Sequence, residues 1–192
     1  MKNNMRILVV LLASSVVPAC VDTSSDPTAT TEQAIHDGDL PPNIPAALTP
    51  AADQHLAFAL AATGVQKYAC NAAGAWAFVA PDAQLFNKNH HHAVGHHYAG
   101  PTWEYQDGST VVGTKVAAAT VDATSIPWLL LTAASHNAVD GRMTDITAIQ
   151  RLETHGGLAP AGACATGDAV DVPYTATYYF YRTRTESPSC DD

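Results

Sequence analysis

The sequence predicts an all-β protein, a single antiparallel β-sandwich or small β-barrel domain behind a signal peptide and a disordered linker. Three observations predict it. Past Pro50 the apolar residues recur mainly with period two, the spacing of a strand that buries one face. Clusters of Gly, Pro, Asn and Asp return between the apolar runs, where turns need them. No stretch with helical periodicity runs convincingly beyond two turns.

Residues 1–20 read as a lipoprotein-type signal peptide. Lys2 and Arg6 supply its positive start, and Ile7–Val17 form an apolar run too short to span a bilayer as a helix. Val17-Pro18-Ala19-Cys20 resembles a lipobox, in which the small residue before the cysteine admits the signal peptidase and the thiol takes the lipid. Pro18 departs from the usual pattern, and ordinary secretory cleavage near Ala19 is the alternative. Both readings export the chain. With Val21 rather than Asp behind Cys20, a lipoprotein of the bacterial cell envelope is expected in the outer membrane; without the lipid, the chain is expected in the periplasm or secreted. Residues 21–50 are rich in Thr, Ser, Asp and Pro and almost free of aromatics. Such a segment cannot bury enough apolar surface to offset its ordering entropy and reads as a disordered tether.

Residues 51–187 form the β-rich domain and 188–192 a tail. Leu56, Phe58 and Leu60 alternate with Ala57, Ala59 and Ala61, although a run so rich in alanine equally suits a short helix. Val65–Cys70 and Trp76–Val79 follow as strands, joined by a hairpin turn at Asn71-Ala72-Ala73-Gly74. Val111–Val121 is rich in Val and Thr. Trp128–Leu131 is continuously apolar, as a strand buried on both faces would be. Ile146–Leu152 and Tyr174–Tyr181 complete eight or nine short strands. The tyrosine-rich last strand is expected to divide between core and surface.

Charge narrows the function classes. The formal net charge is −9, and losing Lys2 and Arg6 with the signal peptide leaves seven basic against eighteen acidic residues, or −11. That disfavours nucleic acid, which needs clustered Lys and Arg. It also disfavours adsorption to anionic lipid, leaving the acyl chain on Cys20 as the membrane anchor. If Cys20 is acylated, Cys70, Cys164 and Cys190 remain, and an exported chain is expected to oxidise a pair. Cys70–Cys164 is favoured because both flank predicted strands, whereas Cys190 sits near a fraying terminus.

Chemistry-bearing residues concentrate between 90 and 109. His90, His92, His96 and His97 are the candidate metal ligands, for Zn²⁺ or Cu²⁺, although their spacing matches no defined site and no His-Glu-x-x-His is present. A solvated His-rich loop is the plainer reading. In Trp103-Glu104-Tyr105-Gln106, alternation sets the aromatics on one face and the polar residues on the other, and Asp107-Gly108 supplies a tight turn. Tyr98, Trp103, Glu104, Asp107 and Arg151 are the candidate ligand-binding residues. The plainer reading makes Trp103 core, Asp107 turn chemistry and Arg151 half of a salt bridge to Glu104 or Glu153. No dinucleotide fingerprint, P-loop, Gly-x-Ser-x-Gly or Ser/His/Asp spacing is found, so the balance leans against an enzyme.

Several blocks stand out in order along the domain: Gly64-Val65-Gln66-Lys67-Tyr68-Ala69-Cys70, Gly95 through Glu104 with Asp107-Gly108-Ser109, and Ile126-Pro127-Trp128-Leu129-Leu130-Leu131. Ile149-Gln150-Arg151, Thr154-His155-Gly156-Gly157, Pro160, Cys164 and Tyr174 through Phe180 complete them. Together, over residues 64–181, they resemble the uncharacterised exported family DUF3455. It implies an exported domain with no established activity, and the His90–His92 triplet falls outside its pattern. The expected function is therefore an envelope lipoprotein whose β-domain binds an unknown ligand or envelope component without catalysis. A metal-binding protein or metal-dependent enzyme built on His90–His97 is the alternative, and a purely structural envelope protein the third.

Overall fold

The computed structural model describes residues 40–41, 43–87 and 92–184. The signal peptide with Cys20, the tether up to residue 39, His90 and the tail with Cys190 lie outside the described residues. Eight strands form: β1 Gln54–Cys70, β2 Trp76–Phe86, β3 Ala93–Tyr98, β4 Thr102–Tyr105, β5 Thr110–Ala119, β6 Trp128–His136, β7 Ala148–Gly156 and β8 Ala169–Thr183. Each pairs antiparallel with the next, and β1 also pairs with β8 over fifteen register positions. The fold is thus a closed up-and-down barrel rather than a sandwich, and closure leaves no open strand edge.

Period-two patterning explains the wall. Phe58, Leu60, Ala62 and Gln66 of β1 are all buried. A helix would scatter residues two apart around its girth, while a strand gathers them on one face, so the helical alternative for 56–61 gives way to a single long strand. A register shift between Leu56 and Phe58 turns Leu56 to the other face. The turn at Asn71 forms as the sequence predicts: Asn71 Oδ1 accepts from the N–H groups of Ala73 (2.9 Å) and Ala75 (3.1 Å), and Gly74 takes φ +69°.

One end of the barrel is plugged. The β6–β7 connection drives Met143 and Ile146, both fully buried, into the core beside the stacked rings of Phe58 and Phe180, 4.7 Å apart. The Arg142 guanidinium lies 4.4 Å over the Phe58 ring, a cation–π contact. Asp107 secures this plug, its Oδ2 accepting from the Arg142 N–H at 2.8 Å, while Ser109 Oγ accepts from the Met143 N–H at 3.0 Å.

The last part of the segment read as a disordered tether is ordered. Leu40, Ile44 and the 3-10 turn Ala46–Leu48 lie against a second apolar cluster of Trp128, Ala148, Leu152, Tyr179 and Tyr181, and Leu48 is fully buried. Gln150 Nε2 donates to the Leu48 carbonyl at 2.6 Å. This strap gives the barrel wall a second covered face. It explains why Trp128–Leu131 is apolar throughout, and why Tyr174, Tyr178 and Phe180 are buried inside while Tyr179 and Tyr181 are buried outside. The expected division of the tyrosines between core and surface is replaced by a division between two cores.

The opposite end carries the disulfide. Cys70, at the end of β1, bonds Cys164 in the β7–β8 connection, 94 residues away. No helix among the described residues is long and apolar enough to cross a membrane.

Candidate functional site: the open end of the barrel

Opposite the plug, the interior is not filled. A cavity of about 140 Å³ is lined by Gln66, His97, Trp103, Leu131, Arg151 and Tyr178 among others, and it adjoins an outer chamber that shares Gln66, Phe78, Lys115, Leu129 and Arg151 with it. Register sets this assembly. His97 faces Trp103 across β3–β4, and Arg151 faces Tyr178 across β7–β8. Gly113 on β5 makes room for the indole, since a Cβ there would come within 2.9 Å of Trp103 Cζ3.

His97 is fully buried and stacks on Trp103, with ring centroids 4.3 Å apart and planes 10° from parallel. Its Nδ1 lies 2.8 Å from the Thr102 carbonyl oxygen. A carbonyl only accepts, so Nδ1 carries the proton and the neutral ring keeps its lone pair on Nε2. Burial pushes this imidazole down to about 3, helped by Arg151 and His96 and opposed by the bond to Thr102. Inside the barrel His97 is therefore an acceptor, not a cation.

Arg151 supplies the charge. Its Nε and Nη2 donate to the Pro127 carbonyl at 3.2 and 2.8 Å. The expected salt bridge to Glu104 or Glu153 does not form, because β7 turns Arg151 inward while Glu104 stands on the outer wall and Glu153, at a bulge with φ +52°, accepts instead from the Tyr179 hydroxyl at 3.2 Å. Tyr174 and Tyr178 share a hydroxyl contact of 3.3 Å. Burial raises both phenols well above the ordinary range, with Arg151 opposing the shift. Two donors lack a well-formed hydrogen bond: Trp103 Nε1 is buried without a partner, and Gln66 Nε2 is buried with only a looser approach to the Tyr174 hydroxyl. Buried donors left in this way are uncommon, and two on one cavity wall mark a place where an acceptor belongs.

The structure divides the sequence candidates among three places. Trp103 and Arg151 line the cavity together. Tyr98 and Glu104 sit outside, the Tyr98 hydroxyl donating to Glu104 Oε2 at 3.0 Å. Burial first, and then the Glu104 carboxylate, raise the Tyr98 phenol. Asp107 holds the plug at the far end, its Oδ1 accepting from Ser109 N–H at 2.9 Å and Oγ at 2.6 Å; Gly108 alone takes the positive φ of that turn. Although desolvation acts to raise it, the bonds from Ser109 and Arg142 hold the Asp107 carboxyl below its usual range.

His96 and His97 lie on opposite sides of the wall. His96 Nε2 donates to Asp82 Oδ1 at 2.8 Å, and Lys67 Nζ pairs with Asp82 Oδ2 at 2.6 Å. Those two partners, Lys67 first, hold the Asp82 carboxyl down. His92 is exposed just before β3. Among the described residues no group of three or more His, Cys, Asp or Glu side chains could hold a metal ion.

With fold and cavity in place, comparison with known proteins adds one finding. The family model described as "Protein of unknown function (DUF3455)" matches residues 50–182. The chain belongs to that family. No curated protein and no solved structure matches it. Membership spans all eight strands and the whole cavity, but starts behind the strap residues Leu40–Leu48.

Sequence reasoning had not singled out Gln66, Lys115 or Phe78 as site residues. For Gln66 a signal exists: it occupies an inward position of the alternation running through Phe58, Leu60 and Ala62, where an apolar residue is the rule.

Proposed function

We propose that this protein is an exported, envelope-tethered binding protein that takes a small molecule into the open end of its barrel without catalysis. The observation that carries the reading is the cavity whose wall holds Gln66 Nε2 and Trp103 Nε1 as buried donors without a well-formed hydrogen bond. An eight-stranded barrel encloses either packed side chains or one small ligand, and here packing stops short of the mouth. The described residues lining the two chambers include no serine, threonine, cysteine or carboxylate, so the hydroxyls on offer there are tyrosine phenols, and burial raises that of Tyr178, beside His97, away from the ionised form a nucleophile needs. Phe78, 56% exposed at the rim, offers an apolar approach.

Thermal unfolding of the full chain tests this. Neutral one-ring probes such as benzyl alcohol should raise Tm in a saturable way, because a ligand that binds only the folded state stabilises it by mass action. Leu129→Trp, which fills the space common to both chambers, should remove the shift. A flat response to every probe would count against the reading. The envelope location rests on Val17-Pro18-Ala19-Cys20, and Cys20→Ser should move the protein from the membrane to the soluble fraction. Retention on the membrane would overturn the lipid anchor.

A further inference from the structure

Resting on the binding reading above, we infer that the ligand is a small organic carboxylate with an apolar body about one ring in size. Its carboxylate sits against Arg151 and Gln66, and its body lies along the stacked His97–Trp103 pair. Charge is the first ground. The chain is acidic, with 18 Asp and Glu against 9 Lys and Arg. Yet the described residues around both chambers include Arg151 and Lys115 and no carboxylate. Arg151 has no carboxylate partner among the described residues, and the carbonyl it does engage cancels no charge. A partly buried guanidinium is ordinarily paired, and its planar donors match the two oxygens of a carboxylate.

The second ground is hydrogen bonding. Arg151, Gln66 Nε2 and Trp103 Nε1 are donors, and neither of the latter two makes a well-formed hydrogen bond. Ionised carboxylates only accept, each through two oxygens with several lone pairs. A cationic or donor-rich ligand would leave the same groups unanswered. Size is the third ground. A cavity of about 140 Å³ is close to the roughly 150 Å³ that holds benzene in an engineered apolar core. Leu129, Leu131, Pro81 and Pro101 give the inner chamber an apolar wall for such a body.

Calorimetric titration of the full chain with three probes that share one ring decides the matter: benzoate, benzyl alcohol and benzylamine. Benzoate should bind at least about tenfold more tightly than benzyl alcohol, the factor expected of a charge-assisted bond to a sheltered cation, and benzylamine should not bind. In Arg151→Gln the advantage of benzoate over the alcohol should vanish, while Gln66→Leu, which keeps the charge, should weaken benzoate and leave its preference over benzylamine. The ratio in the unaltered chain requires no variant to fold. If benzyl alcohol binds as tightly as benzoate there, the carboxylate inference is overturned and the small-molecule reading stands. If none of the three binds, both are overturned.

Discussion

A proton on His97 would set a cation against the Trp103 ring, near Arg151 and with no carboxylate to answer it. Burial therefore holds the folded-state value at about 3, below the ordinary 6.5. Below pH 6.5 the unfolded chain takes up a proton that the folded chain refuses until about pH 3. The stability present above that window is accordingly lost as pH falls through it, by at most about 1.4 kcal/mol per pH unit. Urea midpoints measured between about pH 4 and 6 should fall in the native chain and fall less steeply in His97→Gln, by close to one proton of slope. Parallel curves would mean that His97 is protonated in the fold. At this scale alternation was a partial guide: it set Trp103 and Glu104 on opposite faces, but left open whether Trp103 was core or part of a binding face, and the structure buries it. It could not show that Arg151 also points inward and away from Glu104, because that depends on which strands close the barrel. Nor could it separate His96 from His97 by environment before a strand was recognised there.

Among the elements, the strap is the one the sequence concealed. Its prolines and its shortage of aromatics read as disorder, and the reading fails from Leu40 onward because Leu48 finds a site between Trp128 and Tyr181. The clue lay on the other side of the contact, in runs such as Trp128–Leu131 that are too apolar for a strand with one wet face. Leu48→Ala should lower unfolding free energy by about 2–5 kcal/mol, measurable by urea denaturation. An effect within about 0.5 kcal/mol, the range of ordinary surface changes, would mean that the strap does not cover the wall in solution. β3 was illegible for a different reason. Gly95 and the Asn87-Lys88-Asn89 run weigh toward a loop, whereas Gly95 is where the wall pinches so closely that a side chain would meet the Glu104 carbonyl of β4. Close packing did similar damage to β1: one 17-residue strand reads as two sequence runs because Ala62-Thr63-Gly64 interrupts the pattern, where Gly64 lies so near β2 that a side chain would meet the Asp82 carbonyl.

For the whole molecule, the plug fills one end of the barrel, the strap covers part of its outer wall, and the end that carries the Cys70–Cys164 disulfide keeps its mouth open. That distribution was only partly legible. The disulfide followed from the positions of its cysteines beside strands. The open end required the register of all eight strands, because its lining comes from residues as far apart as Gln66 and Tyr178. The chain has three tryptophans, Trp76, Trp103 and Trp128, of which Trp103 alone lines the cavity while Trp128 packs beneath the strap. Its indole N–H, buried without a partner, is a direct reporter of what enters. The decisive measurement is a benzoate titration of the ¹⁵N-labelled full chain, followed at the three indole N–H signals. Saturable movement of the Trp103 signal, with those of Trp76 and Trp128 nearly still, is the expected result. A Trp103 signal that stays in place while benzoate rises to millimolar concentration would contradict a ligand site at the open end of the barrel.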